Sequence, residues 1–198
     1  MKTITKKDFE SQNILGVKVD FVNSIQQSVN IIEDLLKDNK NHIVCTTNAE
    51  FIIDAQKDKE FKKIINNSSL SIPDGIGVLA SRYYLNKIKN KSSILSKLYI
   101  GIKVFIDLII KDTNIGSKVS GVDLTTGILK KCLKKQYTAF FLGGAATDYF
   151  GHKIDPQPYD LATKAKDNIQ IMYPNIKIIG ATSQFSRDKK DDKATIEY

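Results

Sequence analysis

The sequence predicts an α/β fold, Rossmann-like, with a mostly parallel sheet and flanking helices. Three observations predict it. Short apolar runs alternate with longer stretches whose apolar residues recur at helical spacing. Gly, Pro, Asn and Asp punctuate the junctions between them. At two junctions, Thr46-Thr47-Asn48 and Pro73-Asp74-Gly75, polar groups gather where a strand gives way to a helix. That is where an open α/β sheet binds its ligands.

The elements follow in order. Val17 to Phe21 is a short alternating strand after Gly16. Val22, Ile25, Val29, Ile32 and Leu36 fall on one face of an amphipathic helix. Ile43 to Thr46 reads as a buried strand and Ala49 to Asn66 as one helix. Leu70 to Ile72 is the next strand and Gly75 to Leu85 the next helix. Gly121 to Lys135 is helical through Leu124, Ile128, Leu129 and Cys132. Tyr137 to Leu142 is a strand ending in Gly143-Gly144, Tyr159 to Tyr173 is largely helix, and Ile176 to Ile179 is a strand.

The 198 residues suit one domain, 1–198, and no internal repeat divides them. Hydrophobic residues at 41% and charged residues at 26% set the chain apart from disordered and membrane-spanning classes. The formal net charge of +8 comes mostly from lysine, which attracts anions in general. Arginine occurs only at Arg82 and Arg187, so the forks and aromatic-basic motifs of nucleic-acid readers are missing. Nucleic acid is therefore not the expected partner. Cys45 and Cys132 are far apart in apolar contexts and read as buried free thiols. The polar start, Met1 to Gln12, is no signal peptide, which points to a cytoplasmic protein.

Two stretches interrupt the regular alternation. Residues 86–117 form an apolar insertion, within which Ile94, Leu98, Ile102, Phe105 and Ile109 make a helical stripe. Lys97, Lys103 and Asp107 make it too charged to span a bilayer, leaving a buried core helix or one lying in a membrane interface. At the end, a dense charge cluster from Ser186 to Lys193 precedes what reads as the opening of another helix, so the C-terminus reads as incomplete or shortened.

Asp74 carries the chemistry that the chain offers most clearly. As a helix N-cap it would be ordinary, and Pro-Asp-Gly is common turn chemistry. As an acid fixed in a sheet crevice it could take a proton from a substrate hydroxyl. Gly75 to Ala80 fits G-x-G-x-x-A, and an oxidoreductase built on it would bind NAD. Asp74 would repel a pyrophosphate seated there, however, and no acidic residue follows at ribose distance. Thr46 and Asn48 can cap the following helix or hydrogen-bond a sugar or phosphate. Gly143 and Gly144 can bring backbone amides to a phosphate or make a tight turn. His42 and His152 lack partners at ligand spacing, and no Asp-x-Asp occurs, so no metal site and no cofactor are expected.

The motifs Thr46-Thr47-Asn48-Ala49-Glu50, Pro73-Asp74-Gly75-Ile76-Gly77, Ser120-Gly121-Val122-Asp123-Leu124 and Phe140-Phe141-Leu142-Gly143-Gly144 resemble those of the WecG/TagA/CpsF glycosyltransferases. Ile14-Leu15-Gly16-Val17 and the Phe61 to Asn67 segment match as well, and the likeness runs from about Ile14 to Phe185. The resemblance implies a metal-independent, inverting transfer of N-acetylmannosamine, or a related sugar, from a UDP-sugar donor. Its acceptor would be a polyprenyl-diphosphate-linked N-acetylglucosamine at the inner face of the cell membrane. The enzyme would then be peripheral at that membrane surface and would serve cell-wall, teichoic acid or capsule biosynthesis. A homo-oligomer is left open.

By the same resemblance Asp74 is the general base, with Thr46 and Asn48 near the donor and Asp123, Gly143 and Gly144 in the binding site. Burial would have to raise the pKa of Asp74 for it to act as an effective base. The family's arginine before x-G-x-D-L is Lys118 here, which keeps the charge and loses the bidentate fork. The insertion is longer and more apolar than the family pattern, and a proline-lysine-glutamine-glutamate motif with a basic tail is missing. These departures leave one rival reading, a catalytically inactive nucleotide-sugar-binding or assembly partner.

Overall fold

The computed structural model describes residues 9–91, 93–110, 119–143 and 161–183. The chain divides into two compact units, 1–127 and 128–198.

The first unit opens with a hairpin. β1 (Glu10–Ile14) pairs antiparallel with β2 (Val17–Phe21), from Ile14 opposite Val17 to Glu10 opposite Phe21. The two-residue turn between them has φ of 51° at Leu15 and 79° at Gly16, both positive as a type I′ hairpin turn requires. Lys62 Nζ and Asn66 Nδ2 donate to the Leu15 and Gly16 carbonyls, each at 3.0 Å, and brace the turn. β1 lies in a stretch that the sequence read as a polar start. Its residues Glu10, Ser11 and Gln12 hide a strand whose only buried side chain is Ile14.

α1 (Ile25–Leu35) begins at Ser24, whose side chain accepts the Gln27 N–H. β3 (Val44–Thr47) and β4 (Leu70–Pro73) then pair in parallel, with Val44 opposite Leu70 and Thr47 opposite Pro73. Two helices make the crossover, α2 (Ala49–Lys57) and α3 (Lys59–Asn67). The single helix expected over Ala49 to Asn66 is therefore corrected to two. Asp58 has φ −109° and ψ 103°, which ends α2, and its carboxylate accepts the Phe61 N–H at 2.9 Å, which starts α3. Phe51 and Phe61 meet edge to face across the break, with ring centroids 5.2 Å apart. β3 is half-buried along most of its length rather than fully buried, and β4 is buried throughout.

A buried polar network ties β2 to the β3–β4 pair. The carboxylate of Asp20, 2% exposed, accepts the Ser71 N–H at 2.8 Å and the Ser11 hydroxyl at 2.6 Å. Lys18 Nζ stands 3.6 Å from the same carboxylate. Ser71 Oγ donates to Lys18 O and lies 2.7 Å from Thr47 Oγ1. Around this network pack Val17, Val19, Ile52, Ile65, Val78 and Leu79.

α4 (Ile76–Ile88) follows β4, and α5 (Ile94–Ile109) lies against α4. Only Val104 of α5 is buried, with Leu108 packed on the core cluster. The core-helix reading of this stripe is thereby corrected. An apolar residue on nearly every face leaves more stripe than the core can cover. α6 (Gly121–Lys135) closes the unit and continues into the next.

In the second unit β5 (Thr138–Leu142) pairs in parallel with β6 (Lys177–Thr182), and α7 (Leu161–Met172) packs on both. The register shifts between Ala139 and Phe140, where the Phe140 ring presses on Gly180. A Cβ on Gly180 would come within 2.5 Å of that ring. Cys132 is buried with Leu129 and Ile176, and burial pushes its thiol pKa up.

The α/β class and the parallel pairing at β3–β4 and β5–β6 match the expectation. Hydrogen-bonded pairing among the described residues forms three two-stranded sheets, one of them antiparallel. Residues 111–117 of the insertion, Lys118, Gly144, His152 and the charge cluster after Phe185 lie outside the described residues.

Candidate functional site

The site grows from the carboxyl ends of β3 and β4. Beyond the last strand pair, the Asp74 N–H donates to Thr47 O at 2.9 Å, which fixes the Asp74 backbone at the sheet edge. Thr47 turns its buried hydroxyl to Ser71, so strand alternation puts Thr46 on the opposite face.

Asn48 starts α2, where its Oδ1 accepts the Phe51 N–H at 2.8 Å. Capping uses the amide oxygen and leaves the Nδ2 group without a partner among the described residues. Both readings of Asn48 therefore survive in one side chain.

For Asp74 the capping reading is corrected. The N-cap of α4 is Gly75, with φ 91° and ψ 160°, and no side chain caps that helix start. A positive φ at this junction suits glycine and swings the helix start past Asp74. The Asp74 carboxylate, half-buried, makes no hydrogen bond or ion pair among the described residues. Neither does the Thr46 hydroxyl.

A third helix start closes on them. Ser120 Oγ accepts the Val122 N–H at 3.3 Å, and Ser120 O accepts the Leu124 N–H at 2.9 Å, so Ser120 caps α6. A Cβ on Gly121 would stand 3.3 Å from Asp74 Oδ2 and 3.5 Å from Thr46 Oγ1. A Cβ on Gly77 would likewise stand 3.3 Å from the Ala49 Cβ, so α2 and α4 start side by side. The starts of α2, α4 and α6 thus converge on Thr46 and Asp74. Each start carries partial positive charge, which favours an anion bound beside it.

The other expected site residues fall less centrally. Asp123 is in the first turn of α6 with its side chain exposed. Gly143 belongs to the second unit, where it ends β5 with φ 96°, and its N–H donates to Thr182 O at 2.9 Å. Its carbonyl accepts the Ser183 hydroxyl at 3.1 Å. Both backbone groups of Gly143 are thus engaged by β6 and the residue that follows it.

Reasoning from residue types missed Gly121 and Ser120. Both stand inside the Ser120-Gly121-Val122-Asp123-Leu124 motif, and a glycine in the first turn of a helix signals close approach. Nearby, burial pushes up the thiol of Cys45 on β3, although a hydrogen bond with Ser68 and the charge of Lys18 oppose the shift. That thiol packs on the core, away from the helix starts.

Comparison with known proteins bears on this same segment. Residues 12–98 match the model of the Glycosyl transferase WecG/TagA/CpsF family. The chain is 24% identical over 176 residues to the N-acetylglucosaminyldiphosphoundecaprenol N-acetyl-beta-D-mannosaminyltransferase of Bacillus spizizenii. That match covers 88% of this chain and 53% of the relative, so the chain spans about half the length of the curated relative it matches. The matched residues 12–98 carry Thr46, Asn48 and Asp74, so the likeness to the WecG/TagA/CpsF glycosyltransferases covers the crevice at the ends of β3 and β4.

Proposed function

We propose that this chain transfers N-acetylmannosamine, or a closely related sugar, from a UDP-sugar to a polyprenyl-diphosphate-linked N-acetylglucosamine, with inversion at the anomeric carbon. One observation carries the reading. Asp74 offers an uncommitted carboxylate at the carboxyl edge of a parallel strand pair, where three helix starts meet.

In this mechanism Asp74 accepts the proton of the acceptor hydroxyl as its oxygen attacks the anomeric carbon. The bond from that carbon to the UDP oxygen breaks on the opposite face, and UDP leaves with the electron pair. Negative charge growing on UDP needs fixed donors and cations. Helix-start amides supply some of these, and Lys118 is the further candidate that the family resemblance supplies. The Thr46 hydroxyl and Asn48 Nδ2 are free to hold the donor. Without an Asp-x-Asp to seat a divalent ion, transfer runs without metal, and a chelator leaves the rate unchanged. The acceptor's polyprenyl chain places the reaction at a membrane surface, and no helix among the described residues is long and apolar enough to cross one.

The test is an acceptor-dependent UDP-release assay with UDP-N-acetylmannosamine and a lipid-diphosphate-linked N-acetylglucosamine. The proposal expects UDP release only with both substrates present, and a product of inverted configuration. UDP-sugar binding without release would instead support an inactive partner.

Gly121→Ala probes the crevice from the opposite wall. A methyl group there meets Asp74 Oδ2 at 3.3 Å. Alanine in place of glycine in a helix holds or raises stability by up to about 1 kcal/mol. Displacing a reacting group slightly costs about tenfold or more in rate. The variant is expected to melt no lower than the parent while transferring at least ~10-fold more slowly. Unchanged transfer would move the reaction away from α6.

A further inference from the structure

We propose that α5 is a membrane-surface helix, which lies flat on an anionic lipid surface with its outer face in the headgroup and upper acyl region. From Ile94 to Ile110, nine apolar side chains are 46–81% exposed. They occupy one continuous arc of roughly 160° on the helix circumference, at about 100° per residue. The opposite side is the seated one. Val104 is buried, Leu108 packs on the core, and Gly101 comes close to Tyr84 of α4, where a Cβ would lie 3.6 Å from the ring. One face thus anchors the helix on α4 and the core, and the outward face presents Ile94, Leu98, Ile102, Phe105, Ile106 and Ile109.

Charge selects the occupant. From Asn86 to Ile106 the chain has five lysines, at 87, 89, 91, 97 and 103, and no acidic residue. Lys103 is exposed and borders the apolar arc, while Lys87, Lys89 and Lys91 are exposed on the approach to it. A second copy of this chain would set two such lysine clusters against each other. An anionic bilayer satisfies both features, because it takes apolar side chains into its interface and attracts lysine with its surface potential. At 16 residues the helix is about 24 Å long, too short to span the hydrocarbon core and long enough to lie along its surface.

The inference deepens the transferase reading, since an acceptor held in lipid must be met at the lipid surface. Its test needs no turnover, so the two fail separately. The chain contains no tryptophan, so Ile102→Trp installs a single indole reporter in the full 198-residue chain. On adding vesicles of phosphatidylglycerol and phosphatidylcholine, the emission is expected to shift to the blue and to be quenched by acyl-chain bromine. Gln26→Trp, on α1, is expected to do neither. In flotation, Ile102→Asp with Phe105→Asp is expected to lower the partition coefficient more than about tenfold. Lys89→Glu with Lys103→Glu is expected to lower it comparably, and added salt to weaken the parent's binding. Circular dichroism of each variant should match the parent, because all four side chains are exposed.

Three results would overturn the proposal. The first is a parent that does not float with anionic vesicles, the second is equal binding to purely zwitterionic ones, and the third is an Ile102→Asp/Phe105→Asp variant that floats as the parent does. A concentration-dependent dimer that Ile102→Asp dissociates, without vesicle binding, would assign the face to a second copy instead.

Discussion

Replacing Asp74 by asparagine is expected to reduce sugar transfer by about 10²- to 10⁴-fold, the usual contribution of a positioned general base. The substitution is nearly isosteric and removes only the ability to accept the hydroxyl proton. Its structural cost is small because the carboxylate has no hydrogen-bond partner among the described residues, and the strand is held at this point by the backbone bond to Thr47. The melting temperature and UDP-sugar affinity of the Asp74→Asn protein should therefore stay near those of the parent. Loss of transfer with binding retained identifies a role in the chemical step. Transfer at the parent rate would remove Asp74 from the mechanism, and loss of folding would make it a structural residue.

The largest effect on stability is expected at Asp20. Its buried carboxylate serves two donors, the Ser71 N–H and the Ser11 hydroxyl, with the Lys18 ammonium nearby. Asp20→Ala strands a buried backbone donor in the middle of β4 and removes the partner of a partly buried cation. Such losses cost roughly 2–4 kcal/mol. Urea unfolding is the measurement, with a midpoint clearly below that of the parent and an unchanged slope. Asp20→Asn keeps one acceptor oxygen and should fall between the two. An Asp20→Ala protein within about 0.5 kcal/mol of the parent, the usual range for inert surface changes, would show that the network does not hold β2 to β4. Because Ser71 and Thr47 belong to the same network, its loss should also loosen the strand ends that carry Thr46 and Asp74.

These two residues also illustrate what can be read from residue order. Helical spacing and turn residues located most elements to within a few positions, and the strand-to-helix junctions expected at Thr46, Asn48 and Asp74 are where the structure places them. The hairpin strand β1 escaped because its apolar contribution is a single buried isoleucine, and its pairing is set by a turn rather than by hydrophobic alternation. Asp58 escaped because the apolar periodicity runs on across the break between α2 and α3, while a local cap resets the helix. Asp20 was invisible as a core residue. An aspartate in a strand reads as surface until its two donors, on β1 and β4, are brought together by tertiary structure. The same limit applied to Gly121. It lies 47 positions after Asp74 in sequence (121 minus 74), and only the fold sets it against that carboxylate. The α5 stripe was ambiguous for a different reason. Periodicity shows how wide an apolar surface is, and only packing shows which part of it the core covers.

The central claim is that the Asp74 carboxylate, among the starts of α2, α4 and α6, takes the acceptor's proton. The most direct measurement is a crystal structure of the Asp74→Asn protein with UDP-sugar and a soluble acceptor analogue bound. In it the attacking hydroxyl is expected at hydrogen-bond distance, about 2.6–3.2 Å, from the side-chain oxygen at position 74. The anomeric carbon is expected beyond that hydroxyl, with UDP on the far side. Substrates bound elsewhere, with position 74 facing only solvent, would contradict it.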